Sequence, residues 1–367
     1  MSLQISESQA ELSTSLHANA SQIVSTNRYP QMRLVEKANP IASINTPVKD
    51  SGILGIVGNT PLVQLSRIYP DAQFNLFAKL EMFNPGGSVK DRPAVNMLKQ
   101  AFERGDIVPG STIVESSSGN LGIGLAQACI IFGLRFICVV DPKTTQQNLS
   151  ILKAYGAEVN LVSEPDPITG DFLPARISRV KSLLADIPNS FWLNQYANLN
   201  NAKAHHQTMH EIVCDLDGDL DYLFLTTGSC GTLRGCSDYI KAHNLQTKIV
   251  AIDAKGSVIF GDKRGKRLIP GHGAAQVPAL LLPGLESEYM HVTDTDCLVG
   301  CRRLLQREAI LAGGSAGGAI SAIGYKAAEI PVGANCAVIL CDRGERYLDT
   351  VYSDSWVKEH FGEIDWN

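Results

Sequence analysis

From Leu54 onward, apolar and polar positions fall into blocks of two kinds that take turns along the chain. Short apolar runs predict strands at Leu76–Leu80, Ser111–Glu115, Arg135–Val140, Glu158–Val162, Tyr222–Leu225, Lys248–Asp253 and Cys336–Cys341. Amphipathic or apolar stretches between them predict helices at Pro93–Glu103, Leu121–Phe132, Gln147–Tyr155, Thr232–His243 and Cys297–Glu308. Two of these helices meet a glycine stop, at Gly133 and Gly156. Runs such as Phe136–Val140 and Ala337–Leu340 are apolar on both faces, which suits strands of a parallel sheet covered on both sides. The pattern repeats twice around a break near Asn194–Asn201. The expectation is an α/β fold of two doubly wound domains with a cleft between them, ligands binding at the carboxyl ends of the strands.

The first fifty residues or so are different. They are rich in Ser, Asn, Gln and Thr, and only Ala10–Ile23 suggests a weak helix. Residues 1–50 are expected to be an extension, residues 51–87 and 196–367 the larger domain, and residues 88–195 a smaller, mobile one. With 367 residues, 44% hydrophobic and 19% charged, the chain has the composition of an ordinary globular protein. A formal charge of −5 argues against nucleic acid or an anionic membrane as main partner. No signal peptide and no membrane-spanning run is evident. The nine cysteines form no Cys-x-x-Cys and suit free thiols in a reducing cytosol. Cys297 with Cys301, and His206 with His210, could each share a helix face. Without a second ligand pair they read as packing or surface residues, and no metal is expected.

Three glycine-rich loops carry the candidate chemistry. Asn84–Arg92 places Lys90 on a turn where a helix begins. A lysine there can form a Schiff base with an aldehyde cofactor; taken alone, the segment could equally be a surface turn. Ser116-Ser117-Ser118-Gly119-Asn120-Leu121-Gly122 follows a strand and opens a helix, where free N–H groups favour an anion such as a carboxylate. Helix capping would explain one serine, but explains three followed by Gly-Asn less well. Asn120 can offer its amide to a phenolic oxygen or a carbonyl. Gly228-Ser229-Cys230-Gly231-Thr232-Leu233-Arg234-Gly235 has the same setting and suits a phosphate dianion. It lacks a Walker lysine and the Gly-x-Gly-x-x-Gly spacing. Ala312–Gly318 also precedes an apolar helix and, alone, reads as a packed helix entry.

In order and spacing, Gly58–Val63, Asn84–Arg92, Ser117–Gly122, Gly228–Gly235 and Gly313–Gly318 resemble the cysteine synthase family of fold type II pyridoxal phosphate enzymes, the tryptophan synthase β-like architecture. The resemblance covers roughly residues 54 to 355. It implies pyridoxal 5'-phosphate as cofactor, with Lys90 as its Schiff-base lysine and Asn120 at the ring oxygen. It implies that Gly228, Ser229, Cys230, Gly231 and Thr232 hold the phosphate and that Ser315 meets the pyridine nitrogen. Ser117, Ser118, Gly119 and Leu121, with Gln195, are implied to line the substrate carboxylate site. A hydroxyl stabilises a protonated pyridinium less than a carboxylate would, which favours β-elimination over transamination or racemisation. The family also implies amino-acid substrates, a cytoplasmic location and a homodimer.

The chain departs from ordinary cysteine synthases at Leu121, where threonine is usual, and at Ser229-Cys230. Val140–Lys143, Asn194–Asn198, Asp253–Gly261, Asp342–Asp349 and Val351–Asp354 resemble a narrower group within the family. That group joins O-phospho-L-serine to L-glutamate on the route to 2,3-diaminopropionate, often for siderophore assembly. Arg176 and Tyr196 fall in matching segments and are the expected contacts for glutamate. The basic run Lys263, Arg264, Lys266 and Arg267 reads as a solvated face. A cysteine synthase using sulfide, or a catalytically silent protein on the same fold, are the rival expectations; intact Lys90, Asn120 and Ser315 count against the second.

Overall fold

The computed structural model describes residues 52–366. The predicted helix at Ala10–Ile23 and the extension expected over residues 1–50 lie outside the described residues. In chain order the regular elements are β1 (Leu62–Gln64), β2 (Asn75–Leu80), α1 (Asp91–Glu103), β3 (Thr112–Ser116), α2 (Asn120–Ile131), β4 (Arg135–Val140), α3 (Gln146–Ala154), β5 (Glu158–Leu161), α4 (Phe172–Asp186) and β6 (Ser190–Phe191). They continue with α5 (Leu199–Asp215), β7 (Tyr222–Thr226), α6 (Gly231–Ala242), β8 (Lys248–Ala254), β9 (Glu288–Val292), α7 (Asp294–Glu308), α8 (Gly314–Lys326), β10 (Asn335–Leu340) and α9 (Asp354–Phe361).

The strands form two sheets. One has six strands in the order β1-β2-β10-β7-β8-β9; the other has four in the order β5-β4-β3-β6. All pairings are parallel except that of β1 with β2. Every residue of β3 and β7 is buried, and β4 is buried after Arg135, as expected of strands with helices on both faces. The α/β expectation is met. The loops that leave β3, β7 and β10 at their carboxyl ends are those that carry Ser117–Gly119, Thr227–Cys230 and Cys341–Arg343.

Some elements escaped the hydrophobic pattern. Apart from His206 and His210, which could share a helix face, nothing in the pattern predicts helix α5, because its buried face includes Asn200, Asn201, His205 and Thr208. Strand β9 is an edge strand in which only Val292 is buried, so it has no apolar run. Helix α6 lies against α5 so closely that a Cβ at Gly235 would come 2.0 Å from Ala202 O. This contact requires glycine and explains part of the loop's composition.

A buried ionic cluster joins these parts. Arg92, two residues after Lys90, donates from Nε and Nη2 to Glu81 at 2.7 and 2.6 Å. It donates from Nη1 and Nη2 to Glu211 of α5, both at 2.7 Å. Lys79 Nζ lies 3.0 Å from Glu211 Oε2, so two cations meet two carboxylates. Gly58–Thr60 wraps this cluster: Asn59 N donates to Glu211, Thr60 Oγ1 donates to Glu81, and a Cβ at Gly58 would lie 2.8 Å from Arg92 Nη1. Burial raises the Glu211 carboxyl, but the hydrogen bonds and charge of Arg92 and the charge of Lys79 outweigh it and hold the group at about 2. Removing one partner would strand buried charge. Arg92→Met should therefore cost about 3–5 kcal/mol in urea unfolding; a loss under about 1 kcal/mol would show that the cluster is dispensable.

Candidate active site

Lys90 is the residue immediately before α1 and is half-buried. Its Nζ has no ion-pair or hydrogen-bond partner among the described residues. Its charge is felt at His205, Cys230, Cys341 and Asp342, which places it among the loops after β7 and β10.

The loop after β7 leads into α6 through Cys230, whose φ of 62° is left-handed. The first N–H groups of a helix have no partner within it, and here they follow a turn of small residues. A Cβ built on Gly228 meets its first neighbour, Gly271 O, at 3.7 Å, and one built on Gly271 lies 3.3 Å from Ser315 Oγ. Gly271 thus neighbours both the loop and Ser315. Ser315 is buried at the start of α8, and its hydroxyl has no hydrogen-bond partner among the described residues.

Helix α5 supports this loop from behind. His205 Nε2 lies 3.3 Å from Thr232 Oγ1 and its Nδ1 3.2 Å from Thr208 Oγ1. Burial, then the charges of Lys90 and Arg92, push the His205 imidazole well below its usual range, so it stays neutral. Asn201 Nδ2 donates to Ser229 Oγ at 3.2 Å and to Gln195 O at 2.7 Å. Gln195 Nε2 in turn donates to Ser116 O at 3.2 Å, so one chain of bonds joins the loops after β3 and β7. Sequence reading missed Asn201 and His205. Their spacing of four on one helix face was the available signal, but α5 itself went unrecognised.

In the loop after β3, Ser117 Oγ accepts from Gly122 N at 2.9 Å. Ser117 thus satisfies the third N–H of α2 from within the loop, with Gly119 at the cap position. Ser118 and Gly119 remain half-buried at the loop tip, while the Leu121 side chain packs in the core and leaves its backbone to the loop. Asn120 Nδ2 donates to Asp342 Oδ2 at 2.7 Å, and Arg346 donates to Asn120 Oδ1.

Arg176 lies close enough to Tyr196 for its charge to act on the phenol. Arg176 of α4 is buried with Nε 3.3 Å from Asp141 Oδ2, outside hydrogen-bond geometry. Burial raises the Tyr196 phenol, the Arg176 charge opposes this, and Glu115 and Asp141 add to it. Tyr196 lines a cleft of about 240 Å³ with Leu173, Trp192, Gln276 and Pro278. In the basic run, Arg264 pairs with Asp171 and Arg267 donates to His272 O, while Lys263 and Lys266 are exposed. Cys297 and Cys301 are buried packing residues of α7, and all nine cysteines are free.

Comparison with known proteins decides the family. The profile of pyridoxal-phosphate dependent enzymes matches residues 53–342. The chain belongs to this family. It is 46% identical over 306 residues to N-(2-amino-2-carboxyethyl)-L-glutamate synthase of Ralstonia nicotianae, covering 83% of this chain and 90% of that protein. Its fold is similar to that of the O-acetylserine dependent cystathionine beta-synthase of Helicobacter pylori, with TM-score 0.76, 30% identity and coverage of 82% and 98%. It is also similar to O-acetyl serine sulfhydrylase isoform 3 of Entamoeba histolytica, with TM-score 0.76, 33% identity and coverage of 84% and 94%. The fold is thus that of fold type II enzymes, and the cofactor is pyridoxal phosphate. The residues suit that group: a lysine and a serine hydroxyl without partners among the described residues, and a turn of small residues at a helix start.

Glu115 lies beneath the cleft, fully buried. Its Oε1 accepts from Trp192 Nε1 and Ser116 N, both at 3.0 Å, and its Oε2 has no partner. Burial pushes its carboxyl up from 4.5 to about 7, against the pull of these hydrogen bonds. Between those two values the folded chain holds a proton that the unfolded chain has released, so stability falls as pH rises. Glu115→Gln keeps the acceptor and removes the titration. At pH 8 it should gain about 1–3 kcal/mol over the parent, with little difference at pH 4.5. Melting curves at the two pH values check this, and an equal effect at both would contradict it.

Proposed function

We propose that this chain catalyses a β-replacement joining O-phospho-L-serine to L-glutamate, giving N-(2-amino-2-carboxyethyl)-L-glutamate and phosphate. The observation that carries the reading is the 46% identity to the Ralstonia nicotianae synthase over 90% of that protein's length.

Bound pyridoxal phosphate supplies an aldehyde for the substrate amine and a ring that draws electrons from Cα. Lys90 Nζ would hold the cofactor, and as a free amine it would take the Cα proton and later return it. The N–H groups and hydroxyls of Gly228, Ser229, Cys230, Gly231 and Thr232 hold the phosphate, with Asn201 and His205 fixing Ser229 and Thr232. Asn120 donates to the ring oxygen and Ser315 meets the ring nitrogen. Ser118, Gly119 and the backbone of Leu121 bind the substrate carboxylate, with Ser117 and Gln195 shaping that loop.

Arg176 and Tyr196 receive the acceptor. A guanidinium binds a carboxylate through paired hydrogen bonds, and burial strengthens such a pair. Residues 88–195 act as a smaller lobe that closes over both substrates and excludes water from the reacting carbon. The reading extends to a homodimer in the cytoplasm, and to a product used for 2,3-diaminopropionate in siderophore assembly. These last points rest on the family resemblance.

The test is to offer phosphoserine with equal glutamate and sulfide and to identify products by mass spectrometry. The glutamate adduct should dominate. In Arg176→Ala the KM for glutamate should rise by about tenfold or more, with phosphate release from phosphoserine alone retained. Efficient cysteine formation with no glutamate adduct would replace this reading with that of a cysteine synthase.

A further inference from the structure

The Asn120 amide is held at both ends by residues that follow β10. Its Nδ2 donates to Asp342 Oδ2 at 2.7 Å, and its Oδ1 accepts from Arg346 Nη1. A carboxylate only accepts and a guanidinium only donates. Turning the amide over would set oxygen against carboxylate and nitrogen against guanidinium, so the two partners fix which way it faces. One Nδ2 hydrogen is used by Asp342, and the second is taken up by neither Asp342 nor Arg346.

The same two residues are tied to the loop before Lys90. Arg346 Nη2 donates to Gly86 O, and Asp342 forms an isolated β-bridge with Ser88. Asp342 is itself fixed, since Tyr347 Oη donates to its Oδ2 at 2.5 Å. Burial pushes its carboxyl up, while Tyr347, Asn120, Arg346 and Lys90 all pull it back toward the charged form. The cluster thus spans the start of α2, the end of β10 and the turn that carries Lys90.

We propose that Asp342 and Arg346 are positioning residues that lock the Asn120 amide so that its free N–H points at the cofactor's ring oxygen. The proposal rests on the reading of Asn120 as the ring-oxygen donor. A hydrogen bond to that oxygen changes the electron distribution of the ring, so the visible band of bound cofactor reports on it directly. A purely structural role for Asp342 or Arg346 would leave that band in place.

The experiment uses full-length holoenzyme carrying Asn120→Ala, Asp342→Asn or Arg346→Gln, and the two double variants that include Asn120→Ala. Arg346 is half-buried, so Arg346→Gln gives a second route should Asp342→Asn fold poorly. Visible spectra and cofactor titrations are recorded for each. All three single variants should shift the band in the same direction and weaken cofactor affinity by about five- to tenfold. The doubles should shift it no further than Asn120→Ala alone, because the residues act through one another. A shifted band in Asn120→Ala with parental bands in the other two overturns this proposal alone, as do additive shifts in the doubles. A parental band in Asn120→Ala overturns the reading of Asn120 and the proposal with it.

Discussion

The guanidinium of Arg92, shared in the interior between Glu81 and Glu211, is the constraint on which the rest of the site hangs. Two buried carboxylates could not both stay ionised without it, and a buried arginine could not stay without them. It ties the first turn of α1, and so Lys90 two residues earlier, to α5. Helix α5 then reaches the phosphate-type loop through Asn201 and His205. The lysine and the loop after β7 are far apart in sequence, but one charged group and one helix set the distance between them.

Much of this was legible in the chain because it is local. Strands buried on both faces announce themselves as unbroken apolar runs, as at Phe136–Val140 and Ala337–Leu340. Loops at helix starts announce themselves through glycine and serine, so the segments at Ser117, Gly228 and Gly313 could be placed before helices in advance, and the structure puts them at the starts of α2, α6 and α8. What stayed hidden depends on partners far away in sequence. Asp342 and Arg346 look like any charged pair until β10 brings them to Asn120. Asn201 and His205 look like solvent-facing polar residues until α5 turns them inward. Burying polar groups on α5 also erased the apolar period that would have revealed the helix.

The electrostatics divide the cleft. Near Lys90 the histidine is kept neutral and the serine hydroxyl at α8 is unpaired, while Asp342 lies close enough to feel the lysine's charge. Farther out, Arg176 sits with Asp141, Glu115 and Tyr196, where buried charges of both signs meet beside a cleft of about 240 Å³. The first zone suits the chemistry of the family to which the chain belongs.

The account stands or falls on Lys90 as the residue that holds the cofactor. The direct measurement is to reduce the holoenzyme with borohydride, digest it and locate the reduced cofactor by peptide mass spectrometry. The account predicts the label on the peptide containing Lys90, at about one cofactor per chain. A label on a different lysine, or full cofactor content with none attached to Lys90, would contradict it.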